Sequence, residues 1–302
     1  MSVAAANQQP TVRELVREGA DAISRSRAID HWMPSLSKYD AEELMAAVLD
    51  AELTPALRRS RLTPSQRRRF AMMIARRIRG EPVAQITGHF VFRGLELEVQ
   101  PDVFAPRASS ELLAADAIAF LRRRSAPRVA VDVATGSGPM ALAMAHDVPS
   151  ATVWGLDISP RAVALARRNA RKLGIGNVRF QVSDMLSALP HSLQGTVDTL
   201  TIHPPYVARH EVRTLPREIR DFEPVTTLTD GSADGLDLVR RISAEAMVWL
   251  QPGGRLFVEI GTYLSRKAQA TLRAAGLEDV RWTRDSLGVT RVVSGRRPRA
   301  KA

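Results

Sequence analysis

The second half of the sequence alternates between short apolar runs and segments with helical periodicity. From Pro127 onward, the runs typical of buried strands are RVAVDV, ATVWGL, VRFQV, VDTLTI and RLFVEI. The segments GPMALAMAHD and PRAVALARRNARKLG lie between the first three runs, and Gly174 ends the second segment. Repeated strand–helix units connect parallel strands and place helices on both faces of a sheet. The sequence therefore predicts an α/β fold, in which ligands bind at the carboxyl ends of the strands.

The N-terminal part has a different pattern. Residues 11–79 have helical periodicity, and Thr63 followed by Pro64 is typical of a helix start. The stretch HFVFRGLELEV alternates apolar and polar residues around Arg93 and Gly94, which predicts a β-hairpin. The predicted organisation is a disordered segment at 1–9, a helical domain at 10–80, a β-hairpin linker at 81–105, an α/β domain at 106–294 and a basic tail at 295–302.

Composition excludes several kinds of chemistry. The chain has no cysteine, which excludes disulfides, thiolate nucleophiles and cysteine-ligated zinc. The six histidines lack the spacing of metal ligands, so we expect no metal site. The N-terminal stretch MSVAAANQQP lacks the basic and apolar regions of a secretion signal, and no apolar run is long enough to span a bilayer. We therefore expect a cytoplasmic protein with no membrane partner.

The net charge of +11 is concentrated in one segment. Residues 55–80 contain nine arginines and no acidic residue. Such a patch predicts an acidic partner, which is RNA, the ribosome or an acidic protein surface. The alternative is a solvated helix face in an arginine-rich chain, since the whole sequence has only four lysines. That bias explains the choice of arginine over lysine but not the local absence of acids.

The first predicted strand runs into a loop that contains glycine, DVATGSGPMA. Gly136 and Gly138 allow a tight turn that presents backbone N–H groups and a helix N-terminus to a ligand. Asp157 ends the second strand nineteen residues after Gly138, a spacing typical of a carboxylate that binds ribose hydroxyls. Asp184 follows the third strand, where it is placed to accept a hydrogen bond from an adenine amino group. Each acid alone is also a common helix N-cap, but together these residues predict a nucleoside ligand.

The fourth predicted strand ends in the stretch TIHPPYVARH. Pro204 and Pro205 have no N–H group and a fixed φ, so this corner offers rigid carbonyl acceptors and few donors. That suits a substrate nitrogen that donates its hydrogens while its lone pair faces a sulfonium methyl group. Tyr206 is placed to cover a planar group by stacking. The corner favours S-adenosylmethionine over NAD, and we expect Asp132 to meet the ammonium of the methyl donor or to brace the loop.

These residues resemble the release-factor glutamine methyltransferases, and the resemblance extends from about residue 11 to 294. The matching segments are GEPVAQITGHFVFRGLEL, APRASSE with Glu111, DVATGSGPMALAMA, GLDIS, the PPY corner, FEPVTTLTDGSADGLDLVRRI, LQPGGRLFVEIG and DSLGVTRVV. The segment with EP followed by DGLD after a PPY corner is the specific feature, since adenine methyltransferases share only the corner.

The resemblance implies a seven-stranded, Rossmann-like methyltransferase sheet whose last strand is antiparallel, preceded by a helical domain that recognises the substrate. It also implies methyl transfer from S-adenosylmethionine to a glutamine side-chain nitrogen. In the family's usual case this glutamine belongs to the Gly-Gly-Gln motif of a peptide-chain release factor. The partner would then be a protein such as a ribosome-associated release factor, and residues 55–80 would face its acidic surface or RNA.

The expected site has two groups of residues. The expected cofactor-binding residues are Asp132, Ala134, Thr135, Gly136, Ser137, Gly138, Asp157, Ile158, Asp184, Met185 and His203. The expected catalytic residues, which position the nucleophile, are His203, Pro204, Pro205 and Tyr206. We expect Glu223 and Pro224 to brace the corner.

The sequence also departs from the family pattern. His203 stands where the family has an asparagine that binds the glutamine carboxamide, and neutral histidine cannot donate and accept in the asparagine geometry. The run Ala108-Ser109-Ser110 replaces a proline-acid-threonine run. Ala134 replaces the first glycine of the loop, where we expect it only to reduce the space at the donor site. Met185 stands where an aromatic residue often covers adenine, and an apolar side chain suits that position too.

His203 leaves two alternatives to glutamine methylation open. Histidine is the usual general base for a nucleophile that must lose a proton. One alternative is therefore an O- or N-methyltransferase of a small molecule that uses His203 as the base. The other is a protein that binds the cofactor but has lost catalysis.

Overall fold

The computed structural model describes residues 9–29 and 36–299. The chain divides into two compact units, one with the residues up to 88 together with 214–222, the other with 89–213 together with 223 onward. The predicted disordered segment 1–9 lies outside the described residues except for residue 9, and so do the last three residues of the predicted basic tail. The domain boundaries drawn from the sequence stay predictions.

The first unit is helical. Its helices are α1 (Val12–Ser24), α2 (Leu36–Leu49), α3 (Pro55–Arg59), α4 (Pro64–Ile78), α5 (Val83–Thr87) and α9 (Arg217–Arg220), the last numbered by its place in the chain. Helices α1 and α4 begin with capping boxes at Thr11 and Thr63. Each threonine hydroxyl accepts the backbone N–H of the third helical residue, and the side chain of that residue accepts the backbone N–H of the threonine. Apolar residues of these helices, including Val12, Leu44 and Phe70, form one buried cluster.

The second unit begins with a β-hairpin. Strands β1 (His89–Phe92) and β2 (Leu95–Glu98) pair antiparallel. The connecting residues Arg93 and Gly94 both have positive φ angles, +49° and +79°. A two-residue hairpin turn with both residues in the left-handed region matches the twist of the flanking strands. The hairpin predicted from the sequence is therefore present at the predicted residues.

A seven-stranded sheet forms the rest of the second unit. Its strands are β3 (Arg128–Val133), β4 (Ala151–Asp157), β5 (Val178–Val182), β6 (Val197–Ile202), β7 (Leu250–Glu259), β8 (Glu278–Arg284) and β9 (Thr290–Arg296). The spatial order is β5-β4-β3-β6-β7-β9-β8, and β9 runs antiparallel to both of its neighbours. The five strand-like runs are all strands, and the predicted fold class with an antiparallel last strand is confirmed.

Helices cover both faces of this sheet. They are α6 (Ser110–Arg122), α7 (Pro139–Asp147), α8 (Pro160–Leu173), α10 (Asp237–Trp249) and α11 (Ser265–Ala274). Alternate residues of β3 enter different cores: Val131 packs with residues of α10 and α11, whereas Ala130 packs with residues of α6, α7 and α8. This alternation follows from the two-residue period of a strand. The strand order reverses at β3, and such a reversal opens a crevice at the carboxyl ends of the strands.

Candidate active site

A cavity of about 440 Å³ opens at the carboxyl ends of β3, β4, β5 and β6. Nine of the fourteen predicted site residues line it: Ala134, Gly136, Asp157, Ile158, Asp184, Met185, His203, Pro204 and Pro205. The remaining five, Asp132, Thr135, Ser137, Gly138 and Tyr206, do not line it. The cavity thus brings together the loop after β3, the acids after β4 and β5, and the corner after β6.

Asp132 braces the loop from below. Its two carboxylate oxygens accept hydrogen bonds from the hydroxyls of Thr135 (2.6 Å) and Thr201 (2.7 Å), and the side chain is buried. Burial raises the pKa of Asp132 to about 7, although the two hydroxyls oppose that rise. Because Asp132 does not line the cavity, the structure favours the bracing role that the sequence left open over a direct bond to the ammonium of the methyl donor.

The loop itself contains three left-handed residues. Gly136 has a φ of +58° and Gly138 a φ of +91°. A Cβ at Gly138 would lie 3.0 Å from the ring of Phe180, so this glycine allows the close helix–strand packing at the start of α7. Ala134 also has a positive φ, +55°. An alanine in this conformation strains the backbone, an effect that is additional to the predicted loss of space at the donor site.

The two other loop residues serve the interior of the unit. The Thr135 hydroxyl binds Asp132, as described, and its N–H donates to the carbonyl of Leu156 at 2.9 Å. Ser137 is buried, and its carbonyl accepts a hydrogen bond from the side-chain amide of Asn169 at 3.0 Å. These contacts hold the loop to the interior of the unit, and the expectation that both residues contact the cofactor stays a prediction.

Asp157 occupies the end of β4 and faces the cavity. One carboxylate oxygen accepts the Gly136 N–H at 2.8 Å, and the other accepts the Ser159 N–H at 2.9 Å. Burial raises the pKa of Asp157, and the two N–H groups oppose the rise. Each carboxylate oxygen has a second lone pair. The side chain is therefore fixed by the loop and can still accept two hydroxyl groups from a ligand.

The carboxylate that follows the third strand already has a hydrogen-bond partner within the protein. Asp184 lines the cavity, but one of its oxygens accepts a hydrogen bond from Arg241 of α10 at 3.0 Å. Next to it, Met185 is buried with a φ of +51°. Ile158 also lines the cavity and is 70% exposed. Ile158 and Met185 give the cavity two apolar surfaces suited to a flat heteroaromatic ring.

The corner after β6 combines cavity residues with residues that support them. His203, Pro204 and Pro205 line the cavity. Tyr206 does not, and its ring stacks on that of His203, with centroids 5.9 Å apart and planes at 23°. The ring of Tyr206 thus supports the histidine, and the expectation that it also covers the substrate stays a prediction. The ring of Phe104 meets the same histidine edge-on at 5.4 Å.

A buried carboxylate faces the histidine. Oε2 of Glu259 lies 3.5 Å from Nδ1 of His203. Oε1 of the same side chain accepts a hydrogen bond from the Ser109 hydroxyl at 3.1 Å. Burial raises the pKa of the Tyr206 hydroxyl, and the nearby charge of Glu259 adds to that rise. Glu259 therefore brings a negative charge to the rear of the corner.

Other residues hold the corner in place. Glu223 is buried and forms an ion pair with Arg107, whose guanidinium lies over the ring of Phe104 at 4.7 Å. The carbonyl of Pro224 accepts the hydroxyl of Thr227 at 2.7 Å. The same segment reaches the corner through the bond from the N–H of residue 207 to the carbonyl of residue 228. This arrangement agrees with the predicted bracing role of residues 223 and 224.

Sequence reasoning missed several residues of the site, above all Phe104, Arg241 and Glu259. A signal for Glu259 was present, because it ends the apolar run next to the corner strand and acids at carboxyl ends of parallel strands face the ligand crevice. Phe104 and Arg241 come from a loop and from a helix face, where no comparable pattern marks them.

Comparisons with known proteins agree with this geometry. A family model for the methyltransferase domain matches residues 126–268, and one for the PrmC N-terminal domain matches residues 35–88. The release factor glutamine methyltransferase of Burkholderia pseudomallei (strain K96243) is 38% identical over 270 residues, which cover 87% of this chain and 93% of that protein. This chain belongs to the release factor glutamine methyltransferase family. It is an S-adenosylmethionine-dependent methyltransferase.

The relatives of this methyltransferase do not all share one kind of substrate. A 4-amino-L-phenylalanine/4-methylamino-L-phenylalanine methyltransferase of Streptomyces pristinaespiralis is 36% identical over 222 residues, covering 72% of this chain and 73% of that protein. Among solved structures, a methyltransferase from Pyrococcus furiosus superposes with a TM-score of 0.52 at 19% identity, covering 74% of this chain and 97% of that one. The structural likeness shows the fold alone.

Neither a membrane-spanning helix nor a metal-binding cluster is seen in the part of the methyltransferase that the structure describes. Within residues 9–29 and 36–299, no helix is both long enough and apolar enough to cross a bilayer. The same ranges contain no group of three histidine or acidic side chains arranged to hold a metal ion.

Proposed function

We propose that this methyltransferase transfers the methyl group of S-adenosylmethionine to the side-chain nitrogen of a glutamine in a protein, and that the protein is a peptide-chain release factor. The observation that carries the proposal is the pairing of a nucleoside-type cavity with a donor-poor proline corner at its rim. The family of the chain supports it, because the relatives that match most of its length are named for that reaction. Such an acceptor places the reaction in the cytoplasm.

The residues of the cavity fit the methyl donor. We assign the ribose hydroxyls to the free lone pairs of Asp157 and the adenine ring to the space between Ile158 and Met185. Asp184, already paired with Arg241, is assigned to the exocyclic amino group of adenine. The loop around Gly136 is assigned to the methionine end. When bound, S-adenosylmethionine supplies an electrophilic methyl group on a sulfonium centre.

The corner positions the nucleophile. Pro204 and Pro205 line the cavity and contribute carbonyl groups without competing N–H donors. His203 adds a ring nitrogen that accepts a hydrogen bond when neutral. Acceptors on both sides of a nitrogen hold its hydrogens away from the methyl group and direct its lone pair toward it. The corner therefore contributes mainly by proximity and orientation, which supply a large part of the acceleration in well-ordered sites.

The basic segment is assigned to the protein partner. Three of its arginines, Arg58, Arg76 and Arg77, form ion pairs with carboxylates of the same helical unit and are not available to a partner. Arg67, Arg68 and Arg69 are exposed on α4, and none of them forms an ion pair with a described residue. We assign the contact with an acidic protein surface or RNA to these three residues rather than to the whole segment.

The test is a methyl-transfer assay with labelled S-adenosylmethionine. It uses a release factor from the same organism and its variant in which the glutamine of the Gly-Gly-Gln motif is alanine. We expect label on the wild-type factor and none on the variant. Equal labelling of both factors, or of neither while a small acceptor is labelled, would overturn the proposal.

A second candidate is methylation of an aromatic amine or a hydroxyl group on a small molecule. The contact between His203 and Glu259 favours it, because a histidine backed by a carboxylate is suited to remove a proton. The aminophenylalanine methyltransferase among the relatives supports the same candidate. The distinguishing experiment supplies 4-amino-L-phenylalanine as the acceptor in the assay above.

A further inference from the structure

Two side chains from different parts of the sheet unit meet at the carboxylate of Glu259. They are His203, at the corner after β6, and Ser109, which precedes α6. Both contact Glu259, Ser109 through a hydrogen bond to Oε1 at 3.1 Å and His203 through Nδ1, 3.5 Å from Oε2. An acid at position 109 would place a second negative charge beside Glu259. The serine instead donates a hydrogen bond, which leaves the Glu259 charge available to the histidine.

The sheet fixes this contact. Strands β6 and β7 are parallel neighbours, and Ile202 is in register with Val258. Glu259 is the last residue of β7 and His203 is the first residue after β6, so the end of the paired segment places the two residues side by side. The ring of His203 is also held by Phe104 at its edge and Tyr206 on its face. The ring therefore has little freedom to turn away from the carboxylate.

The electrostatics select one tautomer. Glu259 is 4% exposed, and its Oε2 has no hydrogen-bond partner within the described residues. A buried carboxylate oxygen without a hydrogen-bond donor is costly. Nδ1 of His203 lies 3.5 Å from this oxygen, so the tautomer that carries its proton on Nδ1 is favoured. A neutral histidine that carries its proton on Nδ1 has a free lone pair on Nε2, across the ring. His203 lines the cavity, so that lone pair belongs to the nucleophile site.

We propose that Glu259, held by Ser109, is a positioning residue that fixes His203 as the Nδ1–H tautomer and so makes Nε2 the acceptor of the proton that the nucleophile loses. The nucleophile forms its bond to the methyl carbon while the carbon–sulfur bond breaks, and the electron pair of that bond remains on sulfur. The proton leaves the nucleophile for Nε2, and Glu259 stabilises the resulting imidazolium. This inference rests on the proposed methyl transfer and names the group that completes it.

The first test needs no methyl acceptor. In protein with ¹⁵N-labelled histidine, the imidazole ¹⁵N shifts report the tautomer of each ring, and His203→Asn assigns the signal. We expect the Nδ1–H form for His203 above pH 8 in the wild type, and a mixed or Nε2–H form in Glu259→Gln. An Nε2–H form in the wild type, or the same spectrum in both proteins, would overturn the proposal. Failure of the glutamine reaction alone would leave this result untouched.

Kinetics separate positioning from a structural role. With whichever acceptor the labelled assay identifies, we expect Glu259→Gln to lower kcat by about 10²-fold, with KM for the acceptor within about threefold of the wild type. Glu259→Asp should recover part of kcat. If Glu259→Gln does not fold, Ser109→Ala provides the second variant, and it should move the tautomer signal and kcat in the same direction by smaller amounts. A loss of thermal stability with unchanged tautomer would assign Glu259 a structural role only.

Discussion

The carboxylate of Asp132 and the hydroxyl of Thr201 join two neighbouring strands at the base of the site, 2.7 Å apart. These residues are in register in the parallel pair β3 and β6. One strand continues into the loop at Gly136, and the other continues into the corner at His203. A buried hydrogen bond therefore connects the strand that leads into the glycine loop with the strand that leads into the proline corner.

The raised pKa of Asp132 predicts a pH dependence of stability. The carboxyl group has a pKa of about 7 in the fold and an ordinary value of 3.8, so the folded state holds a proton that the unfolded chain loses between those values. The stabilisation is complete below about pH 4 and is lost as the pH rises through about 7. Asp132→Asn cannot titrate. Relative to the wild type, we expect the variant to gain stability by up to about 1.4 kcal/mol per pH unit between pH 5 and 7.

The measurement is urea denaturation at pH 5 to 8 without cofactor. Tryptophan fluorescence is a suitable signal because Trp154, Trp249 and Trp282 all lie in the sheet unit. A constant difference between the two proteins across this range would contradict the pKa assigned to Asp132.

The positive φ of Ala134 predicts a stabilising substitution. Glycine adopts this conformation without the Cβ clash, so Ala134→Gly should raise the free energy of unfolding by about 1 kcal/mol. The matched control is Ala270→Gly, at an exposed position inside α11, where glycine should lower it by about 1 kcal/mol. In the same urea experiment, the two substitutions should change the free energy of unfolding in opposite directions. A loss of stability at both positions would show that Ala134 is not strained.

Asp157 is expected to dominate the binding of S-adenosylmethionine. Asp157→Ala removes the acceptors for two ribose hydroxyls, and hydrogen bonds to a charged group are worth about 1.5–3 kcal/mol each. We expect the Kd measured by calorimetry to rise at least about 30-fold. Asp184→Ala is the comparison, since that carboxylate already binds Arg241, and it should raise Kd by less than about tenfold. The reverse order would contradict the proposed placement of the ribose.

We expect the exposed arginines of α4 to contribute to binding of the protein acceptor and not to binding of S-adenosylmethionine. Arg67→Glu with Arg68→Glu should raise the KM for the release factor by about tenfold at low salt, and the effect should shrink as salt screens the charges. Arg266→Glu with Lys267→Glu reverses as many exposed charges near the start of α11 and is the matched control. The KM for S-adenosylmethionine should change in neither variant. Equal effects of the two variants would reject α4 as the contact.

Local patterns in the sequence predicted the elements of the fold and part of the site. The spacing of Gly136 and Asp157 was informative because both follow adjacent parallel strands, and the fold brings such positions together. The partners of Asp184 and His203 were not predicted, because Arg241 and Glu259 lie far along the chain. Their contacts depend on how α10 and β7 are placed in the sheet unit, which residue spacing does not encode.

Ala134 and Tyr206 show a second kind of information that residue types do not carry. The sequence indicates only what their side chains offer to a ligand. In the structure, Ala134 has a positive φ and the ring of Tyr206 stacks on that of His203. Residues in a predicted site have structural constraints of their own, and the type of side chain does not reveal them.

The most direct test of the proposed reaction is a competition between the two acceptors in one tube. A release factor and 4-amino-L-phenylalanine compete for labelled S-adenosylmethionine, and the ratio of label in the two products gives the ratio of their kcat/KM values. We predict a ratio of at least about 10³ in favour of the release factor, with the methyl group on the glutamine nitrogen. A ratio in favour of the amine would contradict glutamine methylation as the function of this enzyme.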